Sequence, residues 1–173
     1  RFLLVGAANP CPCGHDGEPG ARCRCSAVEI QRYRSRLSGP LADRIDLHVR
    51  IGAVKLAALG EMAHEESSTV IRDRVANARH VQLERYAALA GVRMNGEAPG
   101  RWLQQHGQLT AEARSLLAEA AEQLRLSARA FHRALRVART VADLEGEPRI
   151  GPAAIAEALM FRGGESQDGG GCR

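Results

Sequence analysis

Four of the five cysteines in this chain lie in one short stretch, as Cys11-Pro12-Cys13 and Cys23-Arg24-Cys25. Four thiolates from two tight pairs can surround one Zn²⁺ as a tetrahedron with Zn–S distances of about 2.3 Å, so the pattern predicts a structural zinc knuckle. The spacing is C-x-C rather than the usual C-x-x-C, and His15 can stand in for one thiolate. The competing reading is a set of ordinary loop thiols or a redox-labile pair. A polar loop gives such thiols no core to fill, which favours the metal.

A second set of candidate groups surrounds this loop. The apolar run Phe2-Leu3-Leu4-Val5, bounded by Gly and Pro, predicts a short buried strand over residues 2–8. Asn9 then stands at a strand's carboxyl end, where open α/β sheets place ligand groups. An Asn before Pro is equally a turn residue. Arg32, Arg34 and Arg36 fall on and after one short helix. Guanidinium groups grip phosphate with two parallel hydrogen bonds, so these three either touch DNA or brace a subunit interface. Arg44 precedes a predicted short strand over 46–51, and by itself reads as a solvated arginine paired with Asp43 or Asp46. Arg129, Arg133 and Arg136 recur at i, i+4 and i+7, the spacing of a helix's wet side. Of these, Arg129 lies in the first turn after a capping serine.

The elements that must position these groups are mostly helical. Ser26 with Glu29 forms a capping box ahead of a helix over about 27–37, ended by Ser38-Gly39, and Pro40 opens a helical turn through Ile45. Ser67 or Ser68 caps a long helix to about Ala90, stopped at Gly91, with Ile71, Val75, Ala78, Tyr86 and Leu89 on its apolar stripe. Residues 92–108 carry Asn95-Gly96 and Pro99-Gly100 and read as irregular, anchored by Trp102 and Leu103. Thr110 starts a helix bearing Leu116, Leu117, Ala120 and Leu124. Ser127 caps the next, with Phe131, Leu135, Ala138 and Ala142 on one face. Gly151-Pro152 begins a last helix through about Phe161.

Composition sets the outer limits. At 173 residues with 45% apolar content, one ordinary domain or two small ones can form a core, and 3% aromatics make that core aliphatic. The fold class expected is mixed α/β, mostly α. The formal charge of +4 is carried almost wholly by arginine, which suits a polyanionic partner. Five cysteines without a signal peptide predict reduced thiols in a cytoplasmic protein. No apolar stretch approaches the roughly 20 residues of a membrane span, so no membrane partner is expected. An Arg1 set inside a strand-like run predicts a piece of a longer protein.

Read together, Asn9-Pro10-Cys11-Pro12-Cys13-Gly14, Cys23-Arg24-Cys25, Arg32 to Leu41, Asp43-Arg44-Ile45-Asp46 and Leu126-Ser127-Ala128-Arg129-Ala130-Phe131-His132 resemble the magnesium-chelatase-like AAA+ ATPases of bacteria. The match runs from residue 1 to about 162 and is closest to the DNA branch-migration branch of that family. The resemblance implies the end of an AAA+ α/β core with a Cys-rich insertion over 1–52 and a linker over 53–66. A helical C-terminal lid over 67–162 and a disordered tail over 163–173 follow. It implies ATP and Mg²⁺ as cofactors of the longer protein, in a homo-oligomeric ring, a hexamer. It also implies Asn9 as sensor 1, Arg44 as the arginine finger offered to a neighbouring subunit, and Arg129 as sensor 2. The chain has no G-x-x-x-x-G-K-[ST] loop, so by itself it is expected to be inactive. The alternatives are a chelatase-type motor that remodels a metal-insertion partner, and a non-enzymatic zinc-stabilised module binding nucleic acid or protein. The cysteine pairs favour the DNA branch over the chelatase motors, which do not typically carry them at this point.

Overall fold

The computed structural model describes residues 3–18, 20, 22–37, 44–52 and 66–161. The chain forms two compact units, Arg1–Ile45 with Ile51–Glu61, and Asp46–Arg50 with Met62–Arg173.

The first unit is built on a loop and one helix, α1 (Ala27–Arg34), extended by a 3-10 turn, Ser35–Leu37. Its start follows from Ser26 and Glu29. The Ser26 hydroxyl accepts from the Glu29 amide at 3.3 Å, and the Glu29 carboxylate accepts from the Ser26 amide at 2.8 Å. Two of the amides a helix leaves unpaired at its N-terminus are thereby satisfied. The Ser26 amide also holds the Glu29 carboxyl below its ordinary pKa.

The second unit is helical: α2 (Ser68–Arg85), α3 (Gly100–His106), α4 (Ala111–Gln123), α5 (Ala128–Leu144) and α6 (Pro152–Met160). Ser67, Thr110 and Ser127 each accept an amide of the following first turn, and Pro152 opens α6 where no amide is needed. The centre is α5, which buries Ala130, Ala134, Leu135, Ala138, Val141 and Ala142. Alanines at every fourth position let neighbouring helices approach closely along one ridge. Tyr86, Leu103, Leu117, Ile150 and Ile155 complete the core, the aliphatic ones each contributing about 1.5–3 kcal/mol of burial. Gly100 starts α3 against His132, and a Cβ there would collide with that ring, so a larger residue requires His132 to shift. Among the described residues a single parallel bridge joins Leu109 to Ile150.

Several expectations need correction. No strand forms among the described residues, neither over 2–8 nor over 46–51. A strand exists only with a partner, and Leu3, Val5 and Ile51 stay 84% exposed or more. The 46–50 segment instead straps onto the helical unit. The His48 amide donates to the Phe161 carbonyl at 2.9 Å, and Asp46 pairs with Arg133 at 3.4 Å. Helix α2 stops at Arg85 rather than near Ala90, and Ile71 and Val75 on its stripe remain exposed. Leu124, just past the end of α4, is exposed as well. Residues 92–108 are not irregular throughout, because Pro99 sets up α3 instead of ending a turn. The turn expected over Pro40–Ile45 and the linker lie largely outside the described residues, and the tail wholly so.

The charged side of α5 is also drier than its spacing implied. Arg133 is 12% exposed, and Arg136 donates to the Ala98 carbonyl at 2.9 Å. On the buried face, Arg139 and Asp143 join Arg85, Asn95, Gln82 and Tyr86 in one polar network. The Asp143 carboxylate accepts from Arg85 at 2.8 Å, from Asn95 at 2.8 Å and from Arg139 at 3.0 Å. Arg139 spends its remaining donors on the backbone carbonyls of Glu147 and Pro148 at 2.6 and 3.0 Å. This network holds the turn after α5 to α2 and to the Asn95–Glu97 turn. The i, i+4 pair set among alanines on a buried face was its sequence signal.

Candidate functional site

The loop of the first unit folds by turn chemistry. The Gly14 amide donates to the Cys11 carbonyl at 3.0 Å, and Gly14 sits at φ +87°, in the left-handed region that favours glycine. The turn brings Cys11 and Cys13 to one side, and the extended Arg22–Ser26 segment returns Cys23 and Cys25 to the same point. Sγ of Cys11 lies 3.4 Å from that of Cys13 and 3.8 Å from that of Cys23, and Cys13 lies 3.6 Å from Cys23. All four sulfurs fall within 4.8 Å of one another.

A disulfide requires about 2.05 Å between sulfurs, and the four thiols are free. A tetrahedron of thiolates at the zinc distance of about 2.3 Å has edges of about 3.8 Å. The separations among Cys11, Cys13 and Cys23 are too long for a disulfide and of the size a tetrahedral ligand set requires. Acidity points the same way. The backbone amides of Arg24 and His15 aim at Cys13 and, with the Cys11 thiol, lower its pKa to about 6. Cys25 receives the Cys13 amide, yet loss of water and the crowding of Cys13 and Cys11 push it up to about 12. Cys13 is the more acidic sulfur while Cys23 and Cys25 are pushed up beside it, a repulsion that a divalent cation at their centre would remove. His15 is not among the converging donors. Its Nδ1 pairs with Glu18 at 2.7 Å, and that hydrogen bond raises the imidazole pKa above its ordinary value.

The other candidates divide between the units. Asn9 is exposed, and a Cβ on Gly14 would stand 3.8 Å from its Nδ2, so its side chain lies over the cysteine turn. Arg44 is exposed in the same unit. Arg129 is an exposed residue in the first turn of α5, just inside the Ser127 cap. Arg34 is engaged within the loop: its guanidinium pairs with Asp16 at 2.7 Å and donates to the Pro10 carbonyl at 3.4 Å. It therefore ties α1 to both ends of the first cysteine pair. Arg32 and Arg36 are exposed.

Among the described residues no helix is long and apolar enough to cross a membrane. Comparison with known proteins matches residues 65–162 to the family described as magnesium chelatase, subunit ChlI C-terminal, and residues 1–59 to magnesium chelatase, subunit ChlI. The chain is 38% identical over 163 residues to the competence protein ComM of Haemophilus influenzae, covering 94% of this chain and 31% of that protein. It is 40% identical over 162 residues to an uncharacterized protein of Mycobacterium tuberculosis and 36% over 163 residues to the uncharacterized protein YifB of Escherichia coli, with the same coverage. The chain thus spans about a third of the length of these relatives. A helical bundle centred on α5, preceded by a cysteine loop and an arginine-rich helix, belongs to the magnesium-chelatase-like family of AAA+ proteins.

Proposed function

We propose that this chain is the C-terminal part of an ATP-driven ring motor, cytoplasmic and hexameric, that moves branched DNA. In this reading the groups that cradle ATP and Mg²⁺ lie elsewhere in the longer protein, and the chain supplies the residues that sense and complete the nucleotide site. Asn9 orients the attacking water as sensor 1, Arg44 reaches a neighbouring subunit's nucleotide as an arginine finger, and Arg129 contacts the γ-phosphate as sensor 2. Phosphoryl transfer is accelerated chiefly by positioning and by positive charge at the γ-phosphate, which is what these residue types offer. The observation that carries the reading is identity to a competence protein running through both units. The intact protein with ATP and Mg²⁺ is expected to hydrolyse ATP several-fold faster when branched DNA is added, and to move the branch point. Hydrolysis indifferent to DNA would instead favour a chelatase-type motor that remodels a metal-insertion partner, the reading its family description favours.

The cysteine cluster is a structural Zn²⁺ site in this proposal, with Cys11, Cys13, Cys23 and Cys25 as its ligands. All four positions are filled by protein, which leaves no place for substrate. Metal analysis of purified protein is expected to find one zinc per chain, released together with four titratable thiols by acid or chelator. No stoichiometric zinc and four freely titrating thiols would remove the site.

A further inference from the structure

In the first unit the described residues hold six arginines, Arg22, Arg24, Arg32, Arg34, Arg36 and Arg44, against three carboxylates, Asp16, Glu18 and Glu29. Every one of those carboxylates is already committed. Asp16 holds Arg34, Glu18 holds His15, and Glu29 closes the capping box on Ser26. The surplus is therefore positive, and its location is set by the chain's alternation. Along Arg22-Cys23-Arg24-Cys25 the cysteines turn toward the sulfur cluster and are half-buried, while both arginines are exposed. Neither is paired with a carboxylate among the described residues. With Cys13 and His15 they line an open cleft of about 610 Å³.

We propose that Arg22 and Arg24 form a ridge along this cleft that grips the phosphate backbone of a DNA strand. The proposal rests on the DNA-motor reading and names a contact surface for it. The chemistry fits the partner. Guanidinium forks hold phosphate oxygens by paired hydrogen bonds, and backbone contacts of this kind carry affinity without sequence preference. Cys23 and Cys25 turn into the sulfur cluster on either side of Arg24, so less backbone freedom remains to be lost on binding. A bound Zn²⁺ held by four thiolates would leave two negative charges beneath the ridge, so a competing role for these arginines is to balance the sulfurs. The two roles separate by experiment.

The test uses the intact protein, a single-stranded oligonucleotide and fluorescence anisotropy between about 50 and 200 mM salt. Arg22→Gln with Arg24→Gln is expected to make the salt slope of log K shallower by about 1.4 for each subunit whose ridge engages the strand, and to weaken binding about tenfold at 200 mM. Zinc content and melting temperature stay as in the parent. Arg22→Lys with Arg24→Lys keeps most of the slope, because charge rather than the fork sets ion release. If the parent protein binds no DNA, the DNA-motor reading fails and the ridge with it. If the parent binds and the Gln variant binds equally with the same slope, the ridge alone is wrong. A Gln variant that loses zinc together with affinity assigns the arginines to the sulfurs and overturns the proposal, as does a Lys variant as impaired as the Gln variant.

Discussion

Replacing Arg44 with alanine in the intact protein is expected to lower the turnover number for ATP by about 10³-fold or more, with nucleotide affinity changed only a few-fold. An arginine finger meets charge that develops on the γ-phosphate, so its removal costs the transition state far more than the ground state. The side chain is exposed, so its loss leaves the fold of the first unit intact. Lysine at the same position is expected to restore little, because a point charge does not reproduce the planar fork. A finger acts on a neighbour's nucleotide. Mixing Arg44→Ala subunits with parent subunits should therefore reduce turnover at parent sites flanked by a variant. Steady-state hydrolysis and equilibrium binding of a nucleotide analogue read the two quantities separately. Normal turnover in Arg44→Ala would return Arg44 to the solvated arginine that its bare sequence context suggests.

The second large effect is on stability. Asp143→Ala is expected to destabilise the helical unit by about 3–5 kcal/mol, seen as a lower denaturant midpoint at unchanged slope. The Asp143 side chain is fully buried and is shared by Arg85 and Arg139, the latter 1% exposed. Removing the carboxylate strands a guanidinium with no water to turn to, and Asn95 loses an acceptor as well. The pair between Arg133 and Asp46 makes the contrast. Asp46 is 66% exposed there, so Asp46→Ala should cost no more than about 1 kcal/mol. Equal losses at the two sites would mean that desolvation is not what makes the network matter.

Local signals were written in the chain and were realised where they acted alone. The caps at Ser26, Ser67, Thr110 and Ser127 begin their helices as residue type and spacing require, since a hydroxyl and an amide three residues apart need no help from the rest of the fold. The convergence of Cys11, Cys13, Cys23 and Cys25 was legible for a related reason: two short pairs joined by a turn-rich loop have few ways to avoid each other. That their sulfurs come within 4.8 Å of one another took the folded loop to show. The roles of Asn9, Arg44 and Arg129 were readable only as a resemblance, because each depends on a nucleotide held by other parts of a ring.

What tertiary structure alone decided is the fate of groups whose partners are distant in sequence. The apolar run at Leu3–Val5 reads as a strand, yet pairing requires a neighbour, and among the described residues it has none. Arg34 pairs with Asp16, 18 residues earlier, a partner that the spacing of its own helix does not name. Arg139 and Asp143 sit where periodicity calls for apolar residues, and only packing brought Arg85, 58 residues before Asp143, to complete their charge. A side chain's local spacing says which way it points. Whether it meets water, a carboxylate or another helix is set by chain segments that no local pattern contains.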